Sequence, residues 1–172
     1  MTITMPTRLK LSQTPTPFYH LERLSAELAG PRIWIKRDDV TEAAAGGNKI
    51  RKLEFVLARA MMSGCDLIVT SGGLQSNHCR ATALLCARLG LKVHLLLRDE
   101  GDYRDQPDGN LLLDYLAGAA ITIAAKADYL RNQAAIIDSI VKGYEAKGHR
   151  VWVIPVGASD VNGVWGYVNC AD

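Results

Sequence analysis

The sequence predicts an α/β fold of three layers, with a mainly parallel sheet held between helices. Two observations carry that prediction. Short β-branched runs alternate with helical patterns over most of the 172 residues, which is the signature of βαβ units. The intervening helices, at roughly 10–20 residues, are long enough to cover both faces of such a sheet.

The elements follow in order. Residues 32–36 (RIWIK) read as a strand. Residues 49–63 place apolar side chains at 50, 53, 57 and 60–61, a helical period, and Gly64 supplies the stop. DLIVTSGG at 66–73 is a buried strand running into a glycine turn, and 77–89 is a second helix closed by Gly90. KVHLLLR at 92–98 is a strand, followed by the polar loop DEGDYRDQPDGN and a short helix over 110–116. ITIAA at 121–125 is a strand. The helix after it, about 127–147, sets Leu130, Ala134, Ile137, Val141 and Tyr144 on one face, and Gly148 caps it. The last strand is 150–155, ending in the turn VGASDVNG, and GYVNCAD after Trp165 opens another helix. Four of these strands (66–70, 92–97, 121–124 and 150–154) are expected to form one sheet, with the first 45 residues outside it.

Composition narrows the function. The chain is 48% apolar and 22% charged with a net charge of +2, so it is neither disordered nor polybasic. Aromatics at 6% are few for a base-stacking surface, and nucleic acid is not an expected partner. No apolar run reaches the roughly 18 residues a membrane span needs. The N-terminus lacks a continuous apolar core, so no secretory signal is expected. The cysteines at 65, 79, 86 and 170 form no C-x-x-C and stand at no metal-ligand spacing. A reducing compartment, the cytoplasm, is the expected location; Arg8 and Lys10 in an acid-free start leave organelle transit as the alternative.

Three clusters carry chemistry. In Gly46-Gly47-Asn48-Lys49-Ile50-Arg51-Lys52, three cations crowd a helix start, an end that ordinarily favours acids. A bound anion such as phosphate would resolve the conflict, and a lysine held among cations becomes a usable amine nucleophile. A solvated basic turn is the alternative; the P-loop spacing is absent. The second cluster, Thr70-Ser71-Gly72-Gly73-Leu74-Gln75-Ser76-Asn77-His78, stands where a parallel strand ends, the preferred ligand position in open α/β sheets. Ser76 or Asn77 doubles as a helix cap. The third, Pro155 to Gly163, is a strand-end turn that is generic by itself.

These clusters lie within longer motifs: GGNKIRKLEF, SGGLQSNHCRATA, DGNLLLDYLAGA and IPVGASDVNGVWGY, in that order, with TPTPFYHLERLS and IWIKRDD upstream. Together they resemble the D-cysteine desulfhydrase and 1-aminocyclopropane-1-carboxylate deaminase family across essentially the whole chain. Members are pyridoxal-phosphate-dependent and have the tryptophan-synthase-β-like fold, fold type II. The QSNHCRATA wording is more similar to the desulfhydrase branch, since deaminases more often have Gln where His78 stands.

The resemblance implies pyridoxal 5′-phosphate as cofactor and a small amino acid as substrate. It makes Lys49 the Schiff-base lysine and Lys52 a holder of the phosphate. Ser76 becomes a catalytic group at the substrate, and Asn77 a contact of the pyridine ring and its 3′-oxygen. Gln75 and His78 join Ser76 and Asn77 around the substrate, with no metal. The implied reaction is β-elimination of D-cysteine to pyruvate, ammonia and sulfide. The alternatives are deamination of the cyclopropane acid, elimination from another β-substituted amino acid, or a non-catalytic truncated fragment acting only by binding. Family members run to roughly twice this length and a homodimer is implied for the full-length form. On that basis residues 1–48 are an N-terminal arm of the large domain, 49–156 the small α/β domain, and 157–172 a return segment. The absent half carries the glycine-rich phosphate loop, the acidic partner of the pyridine nitrogen and tyrosines near the substrate. Ala158 and Asp160 replace the Gly and Asn common in the family.

Overall fold

A computed structural model of the chain describes residues 4–101, 103 and 106–171. Its centre is a four-stranded parallel sheet built from β3 (Leu67–Gly73), β4 (Lys92–Asp99), β5 (Ala120–Ala125) and β6 (Val151–Val153), in the spatial order β5-β4-β3-β6. The expected single sheet forms from the expected four runs. One layer of helices comprises α2 (Asn48–Met62), α3 (Asn77–Leu89) and α4 (Gly109–Leu116); α5 (Lys126–Glu145) covers the opposite face. The strands alternate accordingly: Val93, Leu95 and Leu97 join the larger core with Ile50, Leu53 and Leu57, whereas Leu96 packs with Tyr129 under α5.

Outside this sheet, β1 (Phe18–His20) pairs antiparallel with β2 (Trp34–Lys36), and α1 (Glu22–Glu27) lies between them in sequence. The β1 half of this ribbon has no sequence signal of its own, because three residues directly after Pro17 are too few to display a period. Phe18 and Trp34 stack at 5.2 Å on its outer face and stay 61% and 48% exposed.

The segment ahead of the ribbon is tied to α2 through Glu54. This carboxylate is 2% exposed and accepts from the backbone N–H groups of Leu11 (2.8 Å) and Ser12 (2.7 Å) and from the Ser12 hydroxyl (2.8 Å). A second tie runs from Arg51, which donates to Asp38 through Nε at 2.9 Å and Nη2 at 2.7 Å, while the Tyr167 hydroxyl donates to the other Asp38 oxygen at 3.0 Å. Tyr167 belongs to α6 (Trp165–Ala171), the helix anticipated after Trp165. α6 crosses α2 at Gly166, where a Cβ would overlap the Arg51 carbonyl oxygen and stand 2.7 Å from the Lys52 nitrogen. Both obstacles are backbone and cannot turn aside. Gly166→Ala is therefore expected to cost about 2 kcal/mol, read as a lower urea midpoint at unchanged slope.

One face differs from its sequence expectation. On α5, Leu130 is 65% exposed and Ala134 is also exposed, while Tyr129, Gln133, Ile136, Ile137 and Ile140 turn inward. The helix follows β5 with no intervening loop, so its first turn overhangs the sheet's carboxyl edge. There Gln133 and Tyr129 find polar partners, and no apolar surface is available for Leu130. The expected 130-134-137-141-144 spacing also repeats every seven residues, which drifts by about 20° per heptad on a straight helix.

Candidate active site

Three segments converge at the carboxyl edge of β3 and β6. The first is the glycine turn that starts α2. Gly47, at φ +114°, precedes the helix, and a Cβ on Gly46 would overlap the Glu42 carbonyl oxygen; both positions need glycine. Lys49 follows as the second helical residue. Its amine has no hydrogen-bond or ion-pair partner among the described residues, and it lies 3.6 Å from the point a Cβ on Gly157 would occupy.

One turn on, Lys52 Nζ donates to the Gly157 carbonyl (3.1 Å) and to the Ser159 hydroxyl (3.0 Å). Burial and the neighbouring Lys49 charge pull the Lys52 amine below the ordinary lysine range, opposed by Asp160. The turn that receives it is bent by Gly157 (φ +69°) and Ala158 (φ +49°). It is closed by Asp160, whose Oδ1 accepts from the N–H groups of Gly163 (2.7 Å) and Asn162 (3.1 Å). An asparagine oxygen would accept the same two bonds, so the carboxylate at this position preserves the turn.

The second segment is the start of α3. Ser76 caps it, accepting from the Cys79 N–H at 3.2 Å. The serine rests against Gly72, where a Cβ would come 2.6 Å from Ser76 Oγ and 2.8 Å from Cys79 Sγ. Gly72→Ala is expected to push Ser76 off its cap and cost about 2 kcal/mol, read by urea denaturation. Gly73 beside it has open space where a Cβ would project.

Asn77 is exposed at the rim. Gln75 is committed at both ends of its amide: Nε2 donates to Asp108 Oδ1 (3.0 Å) and Oε1 accepts from the Asn110 N–H (2.8 Å). This contact needs glycine at 109, where φ is +52° and a Cβ would stand 2.5 Å from Gln75 Oε1.

His78 is buried at 3% exposure behind the other residues. The Thr70 hydroxyl donates to the Ile154 carbonyl (2.8 Å), so it accepts from His78 Nε2–H at 2.9 Å. Nδ1 is buried with no partner among the described residues. Burial, then the Lys49 and Lys52 charges, push the imidazole down to about 4, so the ring is neutral at physiological pH.

A cleft of about 630 Å³ opens on the α5 side of Ser76, lined by Gly72, Gly73, Arg98, Tyr129 and Gln133 among others. Gln133 Nε2 donates to Ser71 Oγ (2.7 Å) and to the Tyr129 hydroxyl (2.9 Å), and Arg98 stacks over the Tyr129 ring at 5.4 Å.

The fold thus brings Lys49, Lys52, Ser76 and Asn77 to one edge, sets Gln75 into the α4 start and places His78 in the layer beneath. Sequence reasoning missed Arg80, Asn110, Tyr129 and Gln133. Arg80 carried a readable signal, a cation in the first turns of a helix where the dipole disfavours it. The other three carried none: Asn110 and Gln133 reach partners on other elements, and the Tyr129–Gln133 pair one turn apart on α5 does not by itself mark a site.

A parallel sheet with a free lysine amine and a serine-capped helix start at its carboxyl edge is an α/β fold of the class that binds ligands beyond its strand ends. The chain belongs to the pyridoxal-phosphate-dependent enzyme family, whose profile matches residues 9–172. It is 48% identical over 162 residues to the putative 1-aminocyclopropane-1-carboxylate deaminase of Thermotoga maritima, covering 94% of this chain and 50% of that protein. It is 44% identical over 167 residues to the D-cysteine desulfhydrase of Klebsiella pneumoniae, covering 95% and 50%. Against the mitochondrial bifunctional D-cysteine desulfhydrase/1-aminocyclopropane-1-carboxylate deaminase of Arabidopsis thaliana, identity is 41%, with 94% and 41% covered.

The crystal structure of a homologue of the deaminase superimposes with a TM-score of 0.83 at 33% identity, covering 96% of this chain and 49% of that one. O-ureido-L-serine synthase, at 20% identity and a TM-score of 0.60, shares the fold. The chain spans about half the length of the curated relatives it matches. Among the described residues, no helix is long and apolar enough to cross a membrane.

Proposed function

We propose that the chain forms the lysine-bearing part of a pyridoxal-phosphate-dependent lyase that eliminates the β-substituent of a small amino acid, with D-cysteine as the substrate. The observation that carries this is the partner-free Lys49 amine at the sheet edge, beside Gly157 and lining one cavity with Asn77. The residues fit the cofactor. Side chains on Gly73 and Gly157 would fill space that a flat ring requires, and Asn77 has an unused polar end on the rim. Lys49 would hold the cofactor, Lys52 would offer its phosphate the N–H left over from Gly157 and Ser159, and Asn77 would offer its amide to the ring oxygen.

When bound, pyridoxal phosphate supplies an electron sink for the negative charge that develops at the substrate α-carbon. The Lys49 amine is the base that would take the α-proton. Ser76 Oγ accepts its bond from Cys79 N–H and keeps its own hydrogen free for the substrate carboxylate or the leaving group. In balance, D-cysteine and water give pyruvate, ammonia and sulfide, as thiolate leaves the β-carbon and the remainder is hydrolysed.

The same reading takes residues 1–48 as the arm of a larger domain, consistent with the exposed Phe18–Trp34 stack, and places the protein in the cytoplasm. All four cysteines are free, and burial raises the thiols of Cys79 and Cys86 to about 12, which makes them inert packing groups.

Deamination of the cyclopropane acid is the second reading, favoured by the 48% identity to a protein of that name. The experiment is release of sulfide, pyruvate and ammonia from D-cysteine, L-cysteine and 1-aminocyclopropane-1-carboxylate in parallel. It is run on the chain alone and on the chain extended by the complementary half of a relative. Sulfide from D-cysteine in excess of both other reactions is expected; faster ammonia release from the cyclopropane acid would move the chain to the deaminase reading.

A further inference from the structure

The elements around Asn77 contain a hydrogen-bond chain that leaves no freedom in its direction. Arg80 has only donors. Its Nη2 donates to the Gly46 carbonyl at 2.8 Å and its Nη1 to Asn110 Oδ1 at 3.1 Å. Asn110 must therefore turn its oxygen toward Arg80 and its nitrogen the other way. There Nδ2 meets the Gln75 carbonyl at 2.8 Å, an atom that can only accept. Both ends of the Asn110 amide are dictated by groups without a choice of role. The remaining Asn110 hydrogen reaches Asn77 at 3.0 Å and requires an acceptor, so Asn77 presents Oδ1 to it. Asn77 is left with its Nδ2 unused, on a cavity of about 250 Å³ that it lines together with Lys49 and Arg80.

We propose that Arg80 and Asn110 are positioning residues that fix the polarity of the Asn77 amide, so that this residue offers the cleft only an N–H donor. A donor at that rim selects an oxygen bearing lone pairs or negative charge and rejects N–H groups and ammonium. The same guanidinium holds the Gly46 carbonyl, so the turn that delivers Lys49 and the amide facing the ligand are referenced to one side chain. The identity of the selected oxygen, the ring oxygen of the cofactor, rests on the reading given under Proposed function. The direction of the amide does not.

The test begins with side-chain amide proton exchange measured by NMR on the cofactor-free chain. In the wild type, the Asn110 NH2 exchanges slowly and the Asn77 NH2 at the rate of a free amide. Asn110→Asp keeps an acceptor for Arg80 and removes the donor. Asn77 then swings its nitrogen onto the new carboxylate and its NH2 becomes protected.

Pyridoxal phosphate affinity, titrated by absorbance, falls about tenfold in the same variant, one hydrogen bond to an anionic oxygen being removed. In an Asn77→Ala background, Asn110→Asp costs nothing further, because it acts through Asn77. Arg80→Gln reports from the other end. Its amide can donate or accept, so both amide pairs exchange at intermediate rates.

Unchanged Asn77 exchange in both variants, or a full Asn110→Asp cost persisting without Asn77, would overturn the proposal. Correct exchange behaviour with no cofactor bound to Lys49 would instead overturn the cofactor reading and leave the amide polarity standing.

Discussion

Lys49→Ala is expected to lower elimination by at least about a thousandfold in the chain extended by the complementary half of a relative, with the fold intact. Two losses combine in that variant. The covalent anchor of the cofactor disappears, and so does the amine that takes the α-proton, a role worth on the order of 10²–10⁴ in rate by itself. The structural cost is small, because the amine makes no hydrogen bond or ion pair among the described residues and the helix start is built by Gly46, Gly47 and Arg80. Unchanged urea unfolding with turnover lost is the predicted pair of results. Turnover within about tenfold of wild type would remove Lys49 from the mechanism.

The second large effect concerns stability. Asp114 on α4 is fully buried, and neither carboxylate oxygen has a hydrogen-bond partner among the described residues. Burial pushes the Asp114 pKa up to about 7, only partly offset by Arg80. A proton is therefore held more tightly in the folded chain than in the unfolded one. The resulting stability is complete below the ordinary carboxylate range, near 4, and is lost as the pH rises toward and through 7.

His78 runs the other way. Its folded value of about 4 lies below the ordinary imidazole value of roughly 6.5, so its titration adds stability as the pH rises from 4 to about 6.5. The two nearly cancel in the wild type, and the difference between wild type and Asp114→Asn isolates the carboxylate. That variant is expected to be more stable by roughly 2–4 kcal/mol at pH 8, with the advantage vanishing near pH 4. Urea unfolding at both pH values reads it directly. An advantage equal at the two would show that the gain comes from packing and not from ionisation.

Local chemistry made much of this molecule legible before its structure. Helix α3 runs from Asn77 to Leu89 as its Ser76 cap and Gly90 stop dictate, and Gly90 indeed adopts φ +71°. The crowding of Lys49, Arg51 and Lys52 at a helix start marked a site, although the three cations serve different ends. Arg51 is taken by Asp38 and Lys52 by the Gly157 turn, which leaves Lys49 free.

What sequence could not show depends on pairs distant along the chain. The bond between Arg80 and Asn110 spans 30 residues and that between Gln133 and Ser71 spans 62, and no local period encodes such contacts. The inward turn of Tyr129 in place of Leu130 has the same origin, a polar partner at the sheet edge that a helical wheel cannot see.

The central claim is that Lys49 is the lysine that carries the cofactor. Incubating the chain with excess pyridoxal phosphate, reducing with borohydride and mapping the modified peptide tests it most directly, because covalent trapping does not require tight binding or a complete active site. The account predicts a pyridoxyl group on Lys49 in the peptide that follows Gly46-Gly47-Asn48. A group confined to Lys36 or Lys52 would contradict it.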